Sequence, residues 1–389
     1  MNAKAFSLLL GLAALAALGA YFIAFQPAVS PPGAPGSATS SATDTRLAPA
    51  LAERADEIAS ITITSGDADP VVLTRDADPD NNNEQWLLAS KAHFPAQPDR
   101  VRQLITTLSE LRTVEPKTAK PELHTRLAVQ WPDDADRDPD DFAPRPTLVS
   151  ITDADGEPIA QIVLGDTTYA GGGPRQYARL LDDNQSWLVS ASVTIPRGPL
   201  GFANTRFVEL PRGSAQSVTI THVGGETLEL TRDNPDADFT VANLPEGATM
   251  KNQALANNTG NALAFVNFTD VELRQDALRG CELPPEVVGM TIAEYATFDG
   301  RIARVAIDTR RLDPGGETSA AWTILQLEGG EWSETTKSRF CSWPFRFKLP
   351  AGTIESLTRN PSELIEMPAT NNTDPTTDNT PGLPPPTND

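Results

Sequence analysis

SITITSGDADPVVLTRD, Ser60 to Asp76, and SVTITHVGGETLELTRD, Ser217 to Asp233, align without a gap, and this pairing decides the fold. Thr62, Ile63 and Thr64 match Thr219, Ile220 and Thr221, while Leu73, Thr74, Arg75 and Asp76 match Leu230, Thr231, Arg232 and Asp233. In each copy apolar and polar residues alternate, a polar turn interrupts, and the alternation resumes. Period-two alternation on both sides of a turn describes a β-hairpin with one buried face. The chain therefore carries an internal duplication, and two copies of one unit predict two lobes and not a solenoid.

The likeness extends past the hairpins. An acidic loop follows each, then an aromatic residue opens a third strand, Trp86 in WLLAS and Phe239 in FTVAN. Asp99 is placed to cap a helix over Val101 to Leu111, because Val101, Leu104, Ile105, Leu108 and Leu111 share one face. The second copy offers Ala262, Phe265, Val266 and Phe268 as a weaker helix. After the helix the first half reads as strands in TLVSITD, PIAQIVLGD, QYARLLD and SWLVSAS, and the second in AEYATFD, RIARVAID, AAWTILQLE and WPFRFKLP. Each half is expected to be a three-stranded unit with one helix, followed by a second antiparallel sheet. The fold class is α+β, with two similar lobes from an internal duplication.

From Phe6 to Phe25 the chain runs FSLLLGLAALAALGAYFIAF without a charge, matching the roughly twenty apolar residues a membrane-spanning helix needs. Lys4 precedes it and the next basic residue is Arg46, so the positive-inside rule puts the residues after Gln26 outside the cytoplasm. A cleaved signal peptide competes with this reading. The stretch exceeds the roughly 7 to 15 residues of a signal-peptide core, and Tyr21 and Phe22 make a poor cleavage site. A single-pass anchor in a bacterial inner membrane, with the bulk of the chain periplasmic, is the expectation. The segment PAVSPPGAPGSATSSATDT reads as a flexible stalk and NNTDPTTDNTPGLPPPTND as a disordered tail, since neither can bury enough apolar surface to offset ordering entropy. The division is then 1–26 anchor, 27–54 stalk, 55–205 first lobe, 206–366 second lobe and 367–389 tail.

Against 31 Lys and Arg stand 52 Asp and Glu, a formal net charge of -21 across 389 residues. Such a surface repels phosphate backbones, which excludes nucleic acid as a partner. Cys281 and Cys341 show neither CxxC spacing nor a nearby His. In an oxidising compartment they either pair or remain buried thiols, and both readings stay open.

No constellation for catalysis emerges. His93, His124 and His222 are isolated and read as surface or loop residues. No GxSxG, HExxH or GxxxxGK[ST] motif occurs. Gly171, Gly172 and Gly173 join two strands and read as a hairpin loop. Asp76, Asp78, Asp80, Asn82 and Glu84 supply hard oxygen ligands at a spacing faintly like a calcium loop, but the Gly of the sharp turn is missing and Pro79 stiffens the backbone. Asp133, Asp134, Asp136, Asp138, Asp140 and Asp141 read as an exposed insertion. Hence no catalytic, cofactor-binding or metal-ligating residue is assigned, and no cofactor is expected.

The order SITI, LTR, WLL, FPAQPDRVRQLITTLSELRTVEPKTAKPELHTRLAV, VLGDTT, QYARL and SWLVS resembles the bacterial family called domain of unknown function 4340. Pro95, Asp99, Glu115, Lys117, Thr118, Leu127 and Val129 fill the family's pattern, with Ala128 where Gly is usual. The resemblance runs from about Ile58 to Leu200 and is looser beyond. It implies an envelope protein that assists an ABC transporter of the gliding-motility type, with a protein partner in the cell envelope, transporter subunits among the candidates. The leading expectation is a non-enzymatic, membrane-tethered accessory or binding protein. An envelope glycan or peptide hydrolase using two carboxylates, or a structural spacer, are the alternatives.

Overall fold

A computed structural model of the chain describes residues 45–66, 69–76, 85–131, 145–169, 172–242, 244–274, 283, 289–309, 321–341 and 345–367. The apolar stretch Phe6–Phe25, Cys281, the Cys341 side chain and the tail beyond residue 367 lie outside the described residues. Among the described residues no helix is long and apolar enough to cross a membrane.

The quoted hairpins form as read. β1 (Ser60–Ser65) and β2 (Val71–Asp76) pair antiparallel with Ile61 opposite Leu73. β10 (Ala215–Thr221) and β11 (Thr227–Thr231) pair with Val218 opposite Leu230, the same register at aligned positions. Burial alternates with the sequence, Ile61 and Ile63 inward and Thr62 and Thr64 outward. β3 (Gln85–Leu88) sets Leu88 opposite Leu73, and β12 (Thr240–Val241) sets Val241 opposite Leu230. Trp86 and Phe239 thus occupy equivalent places, and both are buried.

The remaining strands of the first half are β4 (Phe94–Pro95), β5 (Thr113–Pro116), β6 (Thr147–Thr152), β7 (Pro158–Thr168), β8 (Arg175–Leu180) and β9 (Trp187–Val189). Those of the second are β14 (Asp270–Leu273), β15 (Thr291–Thr297), β16 (Ile302–Ile307), β17 (Trp322–Glu328) and β18 (Phe345–Lys348). A separate short pair joins β13 (Thr249–Met250) to β19 (Ile365–Glu366). The first half is one nine-stranded sheet ordered β4-β3-β2-β1-β6-β7-β8-β9-β5, and the second is one eight-stranded sheet ordered β12-β11-β10-β15-β16-β17-β18-β14. Among the described residues the orders correspond strand for strand, with β4 added at one edge of the first sheet.

Two sheets per half were expected, and each half has one. The reason is that β1 uses both backbone edges, Ile61 facing Leu73 on one side and Ile151 of β6 on the other. β10 does the same with β11 and β15. Hydrophobic periodicity reports which face of a strand is buried and is silent about how many edges are paired.

Between edge strand β4 and the opposite edge strand β5 the chain forms the helix Pro98–Glu110, with Val101, Leu104 and Leu108 buried. Asp99 does not cap it. The helix opens one residue earlier on Pro98, whose fixed φ suits the first position, and Asp99 accepts from Arg102 at 2.8 Å within the first turn. In the second half the helix is Gln253–Gly260, ahead of the expected Ala262–Phe268. Asn252 caps it, its Oδ1 accepting from Ala254 N at 3.0 Å and Leu255 N at 3.2 Å. Gly260 is required there, because a Cβ would lie 2.2 Å from the Phe239 ring.

The duplication also begins earlier than the hairpins. Leu47 N donates to Leu111 O at 2.8 Å and Thr113 N to Thr45 O at 2.9 Å; Phe207 N donates to Val266 O at 2.8 Å and Phe268 N to Thr205 O at 2.9 Å. Leu47, Ala48 and Leu51 are buried. Residues 45–54, expected in the stalk, therefore belong to the folded body.

Both halves share one hydrophobic core. Phe94 of the first half packs edge-on against Phe268 at 5.4 Å, Phe345 at 5.1 Å and Phe347 at 6.3 Å of the second. Beside it Lys91 Nζ meets Asp270 Oδ1 at 2.8 Å, and Gln97 N donates to Phe202 O at 2.7 Å. Truncating a buried phenylalanine costs about 3–5 kcal/mol. Phe94→Ala is expected to lower the urea midpoint and to reduce amide protection in β1 and β10 together, which hydrogen exchange followed by mass spectrometry measures.

Candidate functional site

In β18 Phe345 and Phe347 are buried, so Arg346 and Lys348 take the opposite face of the sheet. Trp322 pairs with Lys348, and Asp308 N donates to Trp322 O at 3.3 Å, which brings Asp308, Trp322 and Lys348 into one row. The Trp322 ring has the Arg346 guanidinium 4.9 Å and the Lys348 ammonium 4.8 Å from its centre. Each such cation–π contact is worth about 0.5–1 kcal/mol at an exposed site. Arg346 also pairs with Glu272. Asp270 lies 3.9 Å from Lys348 while holding Lys91. Farther along the face, Arg304 bridges Glu294 and Glu328, both at 2.5 Å.

Met290, Asp308, Trp322, Ile324 and Arg346 enclose a cavity of about 50 Å³, room for a small side chain or one or two waters. The Arg346 Nε beside it is buried without a hydrogen-bond partner. The site is therefore an aromatic floor with both signs of charge at its rim.

The first half answers this face with a different solution. Following the registers outward from the aligned hairpins, Leu164 pairs with Ala178 where Ile307 pairs with Thr323. Tyr177 then stands where Trp322 does, Gly165 where Asp308 does, and Arg179 where Ile324 does. The segment Lys117–Val129, with a 3₁₀ helix over Pro121–Leu127, is seated there. Lys117 N donates to Ser186 O at 2.9 Å and Arg179 Nε to Val129 O at 2.7 Å. A Cβ on Gly165 would come within 2.2 Å of Leu127 O, so the seat exists only because that position has no side chain. In the second copy Asp308 and Ile324 stand at the matching positions, and residues 275–282 and 284–288, which follow β14 as the seated segment follows β5, lie outside the described residues.

The histidines distribute as follows. His93 is exposed, as expected. His124 is not a surface residue: it is 3% exposed on the seated segment, its Nε2 2.9 Å from Asn184 O. That bond gives one ring nitrogen a partner inside the fold. His222 Nε2 lies 3.1 Å from Arg359 O. Gly172 and Gly173 fall in the turn between β7 and β8, a hairpin loop as read. Asp76 ends β2, whereas Asp78, Asp80, Asn82, Glu84 and the run Asp133–Asp141 lie outside the described residues. Among the described residues no group of three His, Cys, Asp or Glu is placed to hold a metal.

Sequence reasoning missed Asp166. It follows Gly165 at the irregularity of the β7–β8 ladder, one carboxylate oxygen buried without a partner. Burial pushes its carboxyl above the usual range. The sequence held no signal for this, since Asp166 reads as one more acid in an acidic chain.

The two sheets and the seated segment define a duplicated α+β protein whose copies share a scaffold and differ on one face. The model of the family described as Domain of unknown function (DUF4340) matches residues 86–282, just over half of the 389, and the chain belongs to this family. The match runs into the second half well beyond Leu200. Neither a curated protein nor a solved structure matches the chain.

An acid whose pKa rises on folding holds its proton more tightly when folded, so once ionised it opposes folding. Asp166→Asn is therefore expected to raise the urea midpoint at pH 7. Its advantage shrinks as the pH falls through the raised pKa of the folded state, and it is gone below about 4, where the unfolded carboxyl is protonated as well. Paired denaturation curves at pH 7 and pH 3 check the sign.

Proposed function

We propose that this chain is a membrane-anchored periplasmic accessory protein that binds a protein partner on the outer face of its second sheet. We infer further that the partner belongs to an ABC-type transport system. The observation that carries the binding reading is the divergence of the two copies at one place. Where the first copy seats its own backbone on Gly165 and Arg179, the second has Asp308 and Ile324 beside Trp322, with Arg346 and Lys348 flanking the ring. Tryptophan and arginine in a desolvated setting are the residue types that dominate protein interfaces. The opposed charges of Asp270, Glu272, Arg346 and Lys348 would set register more than affinity.

Anchoring is supported by the uncharged stretch Phe6–Phe25 and by the absence of any following basic residue before Arg46. The transporter link rests on the family resemblance alone. On this reading the chain performs no chemistry and places a recognition face at a distance from the bilayer.

Membranes solubilised in mild detergent provide the test. The full-length chain is expected to co-purify with transporter subunits, and Trp322→Ala to lose at least about tenfold of the co-purified material, equivalent to about 1.4 kcal/mol. A chain that migrates alone, or a Trp322→Ala chain that retains its partner in full, removes the proposal. Protease added to the outside of spheroplasts should digest the body, and protection of the body would refute the periplasmic placement.

A further inference from the structure

Among the described residues the two copies use the short strand ahead of their helix differently. β4 extends the first sheet past β3, whereas among the described residues β13, at the matching place ahead of the second helix, pairs with β19 and not with β12. The turn leading into β4 contains two consecutive non-glycine residues with left-handed backbone, Ala92 at φ 54° and His93 at φ 59°. L-residues avoid this region because Cβ crowds the next carbonyl oxygen. Such conformations persist only where the surroundings impose them.

Here much of what imposes them comes from the other half of the chain. Within the hairpin His93 N donates to Leu88 O at 2.9 Å. Phe94, the next residue, is fully buried among Phe268, Phe345 and Phe347, and Lys91 on the other side of the turn is tied to Asp270. The strained turn thus lies between two contacts made to the second half. β4 itself has two residues and occupies a sheet edge, so its departure leaves β3 paired to β2.

We propose that the β3–β4 hairpin is a latch. It is closed when Phe94 fills the aromatic pocket of the second half, and it opens alone while both sheets stay folded. Opening lets Ala92 and His93 leave the left-handed region, breaks the Lys91–Asp270 pair and uncovers Phe268, Phe345 and Phe347. Ala96 and Gln97, bonded to Ala203 and Phe202, form the pivot. Release of Lys91 also leaves Asp270 to Lys348, beside Trp322. That last consequence rests on the partner-binding reading, whereas the latch does not.

Native-state amide hydrogen exchange on the full chain, without any partner, tests the latch. The amides of His93 and Phe94 are expected to exchange at least about 100-fold faster than those of Ile61 and Ile63, with little dependence on low urea, as local opening requires. Lys91→Ala should speed hairpin exchange further. The double variant Ala92→Gly, His93→Gly should slow it about three- to tenfold, because relief of the left-handed strain outweighs the added freedom of glycine. If the hairpin amides exchange only with global unfolding, or if the double glycine variant fails to slow them, the proposal is overturned. Neither result bears on partner capture through Trp322, so the two failures are distinguishable.

Discussion

Neither half of this chain completes its core alone. Phe94 leaves the first sheet to fill a space among phenylalanines of the second, and Phe207 and Phe340 extend the same cluster, each within 6.4 Å of Phe347 or of one another. Ring edges against ring faces suit the aromatic quadrupole, and each pair contributes about 0.5–1.5 kcal/mol beyond the area it buries. The cluster therefore fixes how the sheets meet, and it ties the strained turn at Ala92 and His93 to the stability of the whole body.

The hairpins were legible because alternation is a local signal. The matched arginines give the LTRD sequence shared by both copies a structural role. Arg75 N donates to Ala59 O and Arg232 N to Gln216 O at aligned positions, and the guanidinium groups reach the carbonyls of Asp56, ahead of β1, and of Ala215, the first residue of β10. Each arginine closes the entrance to its sheet. What escaped the sequence was non-local. That β1 and β10 are paired on both edges, that β5 and β14 return to the far side, and that Thr45 and Thr205 open the two copies all depend on contacts between distant residues. Short strands such as Thr113–Pro116 carry too little periodicity to be seen.

The site was less legible than the fold. Trp322 and Arg346 look like ordinary strand residues, and only the registers of β16, β17 and β18 set them side by side. The equivalence of Tyr177 with Trp322, or of Gly165 with Asp308, was hidden because the two sequences share no recognisable identity there. Misplacement of the second helix has a similar origin. Ala262, Phe265 and Phe268 carry helical spacing, yet the chain turns at Phe265, φ 62°, and Asn252 starts the helix earlier. A capping side chain outweighed an apolar pattern.

Gly165 gives the two copies unequal freedom to vary. Any other residue at that position drives a side chain into the carbonyls of Leu127 and Ala128, so the first copy is committed to a single arrangement of its covering segment. Position 308 already bears a side chain and is under no such restriction. One copy is thereby held to a fixed frame at this place, while the other accommodates a charged side chain at the matching position.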